Sequence, residues 1–292
     1  MLRKGWRCLL LVWIAGMLAI PARGADETAR PAWVEPMRKV HARFTGEKGT
    51  LAQFGDSITV TLAFWTPMLY EAPKNTDAAT AADYALVKGY LQEKCWRQWK
   101  GPEFGSAGGM TIRWAHENID DWLRRMNPEA ALIMFGTNDL GPLEVGEYEQ
   151  KTREVVRRCL DNGTVVILST IPPRHGRLEK SQEFAEAVRR VGRDLNVPVC
   201  DYMAAILQRR PDDWDGTLPK FRPREGYDVL TLIAGDGVHP SNPPEFRNDF
   251  SEKALSASGY TLRNCLVLRD YAKVIRFVLN ATTMPTKEEG TR

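Results

Sequence analysis

Short runs of apolar residues alternate along this chain with segments in which apolar residues recur every three or four positions. The runs are typical of buried strands, and the wider spacing is typical of amphipathic helices. Four runs predict strands, at residues 51–54, 130–135, 164–169 and 197–200, and a brief fifth strand is predicted near Glu103 and Phe104.

The spaced apolar positions predict helices between these strands. One stripe consists of Ile112, Ala115, Ile119, Trp122, Leu123 and Met126. Similar stripes run through 148–159 and 184–195, and the last long helix is predicted from about Asn264 to Leu279. Because buried strands alternate with helices, we predict an α/β fold, with a parallel sheet of about five strands covered on both faces.

The first 24 residues differ from the rest of the chain. Residues 1–7 are basic, residues 8–20 are almost wholly apolar, and Ala22 and Gly24 precede Ala25. This order predicts a secretory signal peptide over residues 1–24. A membrane anchor is the alternative, but it needs about 20 apolar residues. We therefore expect a secreted or periplasmic protein, with no stable membrane insertion after the signal is cleaved.

The remaining residues, 25–292, are predicted to form one domain. The segments 61–102 and 210–250 are rich in aromatic residues, proline and polar residues, and they are predicted to be insertions or long loops. The aromatic residues of the first segment, which include Phe64, Trp65 and Trp96, are candidates for the mouth of a site, while burial in the core is the more common fate of any single tryptophan.

The charge balance gives no indication of an anionic partner. Residues 1–24 hold four of the 40 basic residues and no acidic one, so residues 25–292 have 36 basic residues against 37 acidic ones. This balance does not indicate nucleic-acid binding or strong attraction to an anionic membrane.

Four cysteines follow the signal segment: Cys95, Cys159, Cys200 and Cys265. An oxidising compartment permits disulfides between them, with three possible full pairings. Cys159 continues an apolar stripe and Cys200 ends an apolar run, so these two are predicted to be core residues. Because no C-x-x-C occurs, we expect no zinc site, and no other feature indicates a metal or cofactor.

Polar residues follow the predicted strands. In chain order, Gly55-Asp56-Ser57 follows the strand at 51–54, and residues 105–111 follow the brief strand near Glu103. Gly136-Thr137-Asn138-Asp139 follows the strand at 130–135, and residues 171–175 follow the strand at 164–169. In a parallel sheet these carboxyl ends meet at one edge, where ligands bind. The segment 236–240, Asp-Gly-Val-His-Pro, can fold onto the same edge.

A serine nucleophile needs a base and a group that orients the base. Of the four histidines, only His239 has a carboxylate three residues earlier, Asp236. On a tight turn Asp236 can accept from Nδ1 of His239 and leave Nε2 free for Ser57. Asp56, although adjacent to the serine, is not the predicted triad carboxylate. The alternative is an ordinary loop Asp and His near a glycine turn.

Donors for an oxyanion are also present. Gly109 can offer a backbone N–H that no Cβ shields, Asn138 a side-chain amide, and Ser57 its own N–H at a helix N-terminus. The alternative for residues 136–139 is a strand-to-helix turn, where Asn and Asp are common.

In these blocks the chain resembles the SGNH (GDSL) hydrolase superfamily. The matching blocks are Gly55-Asp56-Ser57, Gly109 in "SAGGMT", "GTND" at 136–139 and "DGVHPS" at 236–241. The resemblance implies a three-layer flavodoxin-like fold and ester hydrolysis without metal or cofactor. It also implies that Ser57 is the nucleophile, His239 the base and Asp236 its orienting group. Ser57 N–H, Gly109 and Asn138 would then form the oxyanion hole.

Two features depart from the family pattern. Phe104 stands where an asparagine often begins the second block, so the catalytic glycine can be Gly109 or Gly108. The segment 242–260 that follows the histidine block is additional. The G-x-S-x-G elbow of α/β-hydrolases is absent, since Asp56 and Ile58 flank the serine.

Together these features predict an exported serine esterase that removes small acyl groups, such as acetyl, from carbohydrate. A lipase, lysophospholipase or thioesterase is the alternative within the class. A non-catalytic binding protein on the same scaffold is the alternative outside it. A phosphate-binding α/β protein is disfavoured, because residues 105–109 lack both the G-x-G-x-x-G spacing and a Walker lysine.

Overall fold

A computed structural model describes residues 30–280, and the predicted signal peptide lies outside them. The chain divides into two units after Pro31, and residues 32–280 are the described part of the second unit. Within it, 61–102 contributes three helices, whereas 210–250 contains only short 3-10 turns. The interpretation of these two segments as insertions stays a prediction.

The core of the fold is a parallel sheet in which the strands lie in the order β1-β2-β3-β4. The strands are β1 (Glu47–Gly55), β2 (Pro128–Met134), β3 (Val165–Ser169) and β4 (Val199–Cys200). Every residue of β2 and β3 is buried, as expected for strands covered on both faces. The predicted α/β fold with a parallel sheet is therefore confirmed.

Eleven α-helices lie within the described residues. They are α1 (Val34–His41), α2 (Ser57–Val60), α3 (Pro67–Tyr70), α4 (Ala78–Tyr90), α5 (Lys94–Arg97), α6 (Ile112–Met126), α7 (Val145–Asp161), α8 (Leu178–Leu195), α9 (Tyr202–Arg209), α10 (Glu252–Leu255) and α11 (Gly259–Val274). A π-helical turn, Ile275–Leu279, continues α11. The predicted apolar stripe of α6 is buried along its whole length.

The helices form two groups that cover the sheet. Helix α7 packs against both α6 and α8, while α11 packs against α4 and α1 against the π-helical turn. Right-handed crossovers between successive parallel strands place α6, α7 and α8 on one face of the sheet. The group around α11 covers the other face, which gives three layers.

The predicted strand near Glu103 and Phe104 is wrong. Pro102–Phe104 forms a 3-10 turn, and pairing with β1 is reduced to one parallel bridge between Gly55 and Ser106. Gly101 and Gly105, which flank the turn, have φ values of 115° and 85°, so the backbone there cannot extend as a strand. The bridge nevertheless places Ser106 on the side of β1 opposite β2. After β1 the chain thus first passes along one side of that strand, whereas β2, β3 and β4 are added on its other side. Such a switch point beside β1 is where α/β folds bind ligands.

Candidate active site

Four polar loops meet at the carboxyl edge of the sheet. The N–H of Ala107 donates to the Gly55 carbonyl at 3.1 Å, which joins the second loop to the first. Arg174 Nη1 donates to the Thr137 carbonyl at 2.8 Å, which joins the fourth loop to the third. The segment 236–240 folds over the same edge and places His239 against Ser57.

The turn after β1 is shaped by Gly55, Asp56 and Ser57. A Cβ on Gly55 would overlap with Oγ1 of Thr59 and lie 2.8 Å from the Met134 carbonyl oxygen, so the close packing requires glycine. The Asp56 side chain accepts from the N–H of Ile58 at 2.9 Å and caps α2. Ser57 is the first residue of that helix and is half-buried. Its N–H has no partner within the helix and is available to an anion.

Asp56 is fully buried behind the serine. Burial raises the pKa of Asp56 to about 6, against the opposing effects of the Ile58 N–H and the charges of Arg263 and His239. The carboxylate therefore holds the turn and faces away from solvent. This position agrees with a role in positioning Ser57.

The buried Arg263 and the half-buried Lys100 hold the other end of the same turn. Arg263 of α11 donates to the Ile58 carbonyl at 2.6 Å and to Thr59 Oγ1 at 3.0 Å. Lys100 Nζ donates to the Thr59 carbonyl at 2.8 Å, and burial, together with Arg263, lowers its pKa to about 7. These cations bind the carbonyl groups at the C-terminal end of α2, where the helix dipole favours positive charge.

His239 lies between Ser57 and Asp236. Its Nε2 is 2.9 Å from Ser57 Oγ, and its Nδ1 is 2.7 Å from Oδ2 of Asp236. The other carboxylate oxygen, Oδ1, accepts from the N–H groups of Val238 and His239 at 2.9 and 3.0 Å. Gly237 makes this turn possible with a φ of 71°, and a Cβ there would lie 2.5 Å from Cβ of His175.

These hydrogen bonds determine the charge of Asp236. Burial disfavours its ionisation, but the ring of His239 and the two backbone N–H groups outweigh burial and lower the pKa to about 2. Asp236 is thus an anion at any pH above about 4. An anion at Nδ1 selects the tautomer whose Nε2 can accept a proton from Ser57.

The candidate oxyanion donors lie on the other side of Ser57. A Cβ on Gly108 would come within 3.9 Å of Ser57 Cβ, so this glycine borders the serine. Gly109 follows with a φ of 76° and open space around the position of its missing Cβ. Asn138 Nδ2 donates to the Met110 carbonyl at 3.0 Å, which ties its amide to the same loop. Gly108 and Gly109 both stay candidates for the glycine that donates its backbone N–H to an oxyanion.

Asp139, in the loop that follows β2, is hydrogen-bonded to the residue that follows the 105–111 loop. Its Oδ1 accepts from the N–H of Ile112, the first residue of α6, at 2.9 Å. Its Oδ2 is buried without a hydrogen-bond partner among residues 30–280. Burial raises the pKa of Asp139 to about 7, and the Asp56 carboxylate adds to this shift while the Ile112 N–H opposes it.

The chain's family follows from a model that matches residues 54–243. The model is that of the GDSL-like lipase/acylhydrolase family, and it matches more than half of the chain, including all four polar loops. The chain belongs to this family. The acylhydrolase is therefore a carboxylic ester hydrolase. No protein in a curated set matches the chain significantly.

Solved structures similar to the acylhydrolase show the same fold. The lipase/acylhydrolase from Enterococcus faecalis superposes with a TM-score of 0.50 at 18% identity, over 76% of this chain and 94% of the other. A protein of the G-D-S-L family from Desulfitobacterium hafniense has a TM-score of 0.50 at 16% identity, over 76% of this chain and 98% of the other. At such identities the likeness concerns the fold alone.

A cavity of about 300 Å³ opens beside the serine of the acylhydrolase. Its lining consists of Ser57, Thr61, Ala63, Tyr227, His239, Asn242, Arg247 and Tyr260. The ring of Tyr227 is 5.8 Å from that of His239 between centroids, and 46% of Tyr227 is exposed. The cavity is thus small and mostly polar.

The aromatic residues predicted near the mouth belong largely to the core. Phe64, Trp65 and Trp96 are fully buried, and the rings of Trp65 and Trp96 stack at 5.1 Å. These three residues therefore have the core location that is the more common fate of such side chains, and none of them lies at the mouth. The exposed aromatic residue beside His239 is Tyr227, from the segment 210–250.

Sequence reasoning missed Lys100 and Arg263, which support the turn after β1. Lys100 lies between Trp99 and Gly101, and Arg263 between Leu262 and Asn264, so neither local sequence indicates this role. It also missed a second His–Asp pair, in which His175 Nδ1 lies 2.6 Å from Oδ2 of Asp215. The distance of 40 positions between these two residues leaves no local signal.

The other histidines have structural partners. His41 Nε2 lies 2.9 Å from the buried Glu129, at the opposite edge of the sheet. His116 Nε2 lies 2.6 Å from Oε2 of Glu154.

Cys95, Cys159, Cys200 and Cys265 are all buried free thiols. Among residues 30–280 no group of three or more His, Cys, Asp or Glu is arranged to hold a metal ion. No helix in that range is long and apolar enough to cross a membrane.

Proposed function

We propose that this acylhydrolase is a serine esterase in which Ser57 is the nucleophile, His239 the general base and Asp236 the group that orients the base. The observation that carries the proposal is the continuous set of contacts from Ser57 Oγ to His239 Nε2 and from His239 Nδ1 to Asp236, at 2.9 and 2.7 Å. Both distances suit proton transfer and orientation.

The reaction has two halves. In the first, Ser57 Oγ bonds to the ester carbonyl carbon while His239 Nε2 takes the hydroxyl proton, and that proton then leaves with the alcohol as the acyl–oxygen bond breaks. In the second, water attacks the acyl-enzyme, gives a proton to His239, and releases the acid as Ser57 regains its proton. Asp236 stays ionised and stabilises the imidazolium in both halves.

The carbonyl oxygen becomes an anion in each tetrahedral intermediate. The Ser57 N–H, the Asn138 amide and a backbone N–H of the Gly108–Gly109 stretch are the donors proposed for it. The same Asp139 carboxylate that binds Ile112 N–H holds the second and third loops together, so the donors are positioned before substrate arrives.

The proposed substrate is a small acyl group, such as acetyl, on a carbohydrate. A cavity of about 300 Å³ is at the small end of ligand pockets. Thr61, Asn242 and the two tyrosines of its lining offer hydrogen bonds to hydroxyl groups, and Tyr227 offers an exposed ring on which a sugar can stack. Ala63 is the one aliphatic side chain of this lining, which suits a sugar alcohol better than a lipid alcohol.

The central experiment compares the wild type with Ser57→Ala on p-nitrophenyl acetate. The variant should lose roughly 10⁴–10⁶-fold in kcat and should no longer react with a fluorophosphonate probe, while its melting temperature stays close to that of the wild type. Turnover of the ester by folded Ser57→Ala at the wild-type rate would refute the assignment. A wild type that the probe does not label would favour a binding protein instead.

The acyl preference is tested with p-nitrophenyl esters of increasing chain length. We expect kcat/KM to be highest for acetate and to fall for octanoate. A preference for octanoate would favour the lipase or thioesterase alternative over the deacetylase.

We also propose that the protein is exported and that a signal peptidase cleaves it before Ala25. The support is the basic, apolar and small-residue order of residues 1–24. Mass spectrometry of the protein from an extracytoplasmic fraction should give a mature N-terminus at Ala25. Recovery of an uncleaved protein from the cytoplasm alone would contradict export.

A further inference from the structure

Beyond the catalytic residues, the cavity beside Ser57 continues into a second one. The second cavity, of about 400 Å³, shares Thr61, Ala63, Asn242 and Arg247 with the first. It is further lined by Leu62, Pro67, Asn248, Thr261 and Asn264. The two cavities together form a groove, here called the Arg247 groove, that leads away from His239.

Arg247 is the one lysine or arginine in the lining of this groove, which contains no carboxylate. Its guanidinium forms no hydrogen bond or ion pair with the described residues, 30–280. The neighbouring acidic side chains have other partners: Glu245 pairs with Arg224 at 2.6 Å, and Asp249 accepts from Asn75 at 3.1 Å. The groove thus contains a positive charge that the described part of the protein does not neutralise.

The backbone on both sides of Arg247 is held in place. The carbonyl of Phe246 accepts from Thr261 Oγ1 at 2.8 Å, and that of Asn248 accepts from the N–H of Lys74 at 2.8 Å. Asn248 also donates from Nδ2 to the Glu71 carbonyl at 2.7 Å. Since its neighbours are fixed, Arg247 is presented to the groove from a rigid segment, which reduces the entropy lost when it binds a ligand.

Asn248 adds a second polar group without a partner. It lines the 400 Å³ cavity, it is 94% buried, and its Oδ1 has no donor among the described residues. Buried side-chain acceptors are normally satisfied, so Asn248 is a polar residue of the lining whose hydrogen bonding within the described residues is incomplete. The groove therefore combines a cation with such a residue.

The groove lies on the side of the leaving alcohol. In the proposed mechanism His239 Nε2 must give its proton to the alcohol oxygen, and His239 lines the first cavity of the groove. The oxyanion donors Gly109 and Asn138 are absent from both linings. The alcohol therefore extends from His239 toward Arg247.

We propose that Arg247 binds an oxyanion group on the alcohol part of the ester, so that the substrate is an acylated saccharide that carries a carboxylate or a phosphate. The guanidinium fork matches either group with two parallel hydrogen bonds, which a neutral sugar cannot form. This inference rests on the proposed esterase function.

The test compares kcat/KM for three acetylated substrates: galacturonate oligosaccharides, hexose phosphates and neutral xylo-oligosaccharides. The wild type should prefer at least one anionic substrate over the neutral one. In Arg247→Ala the ratio of anionic to neutral kcat/KM should fall roughly 5- to 20-fold, mainly through KM. Whichever anionic substrate shows the fall identifies the oxyanion as carboxylate or phosphate.

The matched control is Arg125→Ala. Arg125 is an exposed arginine on α6 that also forms no ion pair with the described residues, but it lies outside both linings. Its variant should keep the wild-type ratio. Arg247→Lys should retain part of the preference, and raising salt from about 0.05 M to about 0.5 M should reduce what remains.

Two results would overturn the inference: a wild type without preference for either anionic substrate, or a preference that Arg247→Ala leaves intact. Ser57→Ala, assayed in parallel, separates this failure from that of the proposed function. If Ser57→Ala still turns over all three substrates, the serine mechanism fails. If turnover requires Ser57 but does not depend on Arg247, only the anion site fails.

Discussion

Asp236 holds His239 at two points, because Oδ2 binds the imidazole Nδ1 and Oδ1 binds the backbone N–H of the same residue. Asp236→Asn should keep much of the turn but place an amide where an anion is needed, and the amide favours the wrong tautomer of His239. We expect kcat to fall roughly 10²–10⁴-fold with little change in KM. Steady-state kinetics on p-nitrophenyl acetate measure both parameters.

The second His–Asp pair supplies the control for this prediction. Asp215→Asn makes the same chemical change beside His175, where the hydrogen bond is 2.6 Å long. Its kcat should stay within a few-fold of the wild type. Equal losses in the two variants would show that Asp236 has no special role in the reaction.

Asn138→Ala should remove one proposed oxyanion donor and lower kcat by roughly 10²–10³-fold. The same change frees the Met110 carbonyl, which now accepts from Asn138 at 3.0 Å, so thermal unfolding should be measured beside the kinetics. Asn118→Ala, which removes a 2.8 Å bond to Trp114 within α6, is the control. A folded Asn138→Ala variant with wild-type kcat would remove Asn138 from the oxyanion hole.

Asp139 predicts a dependence of stability on pH. Its pKa is about 7 in the folded protein against an ordinary value near 3.8, so between these values the folded state binds more protons than the unfolded state. The contribution of Asp139 to the free energy of unfolding is therefore fully present below about pH 4, and it is lost as the pH rises through about 7. Asp139→Asn keeps an acceptor for Ile112 but cannot ionise.

The free energy of unfolding of the wild type should consequently fall, relative to Asp139→Asn, by up to about 1.4 kcal/mol per pH unit between pH 4 and pH 7. Urea unfolding at several pH values measures this difference. Parallel pH profiles for the two proteins would mean that Asp139 titrates normally.

Gly55→Ala should destabilise the fold, since the new Cβ would overlap with Thr59 and lie 2.8 Å from the Met134 carbonyl. We expect a loss of about 2–4 kcal/mol in the free energy of unfolding, together with lower kcat, because the backbone that must move is that of the nucleophile turn. Gly89→Ala is the control, as its Cβ meets nothing within 4 Å in the last turn of α4. That variant should gain about 0.5–1 kcal/mol.

Much of the fold could be predicted because the buried residues of each strand and helix form a regular apolar pattern within a short stretch of sequence. Strands β2 and β3 are continuous apolar runs, and the buried stripe of α6 is visible at helical spacing. The N-terminal half of β1 was missed because Glu47 and Lys48 are exposed and polar. The supposed strand near Glu103 failed since glycines on both sides of the turn adopt positive φ, which apolar patterning does not reveal.

The residues of the site were likewise predictable where local sequence brings them together, and not where only tertiary packing does. Asp236 and His239 could be paired from sequence because a turn of three residues brings them together, and Ser57 because a strand end places it at the ligand-binding edge. The distant Arg263, which binds the Ile58 carbonyl, had no such signal, since only tertiary packing brings α11 to the nucleophile turn. Trp65 and Trp96 are buried in the core, and composition alone did not distinguish an aromatic core from an aromatic mouth.

The contact between Arg263 and the nucleophile turn means that the family motifs are shorter than the structure that supports them. The residues that match the family end at 243, and Arg263 lies 20 positions beyond. Residues 54–243 contain all four polar loops but not the guanidinium that binds the Ile58 carbonyl, which is also a positive charge that favours ionisation of Asp56. The recognisable motifs therefore do not by themselves contain every contact that holds the turn of Ser57, and a boundary drawn at the end of the family match would remove one of them.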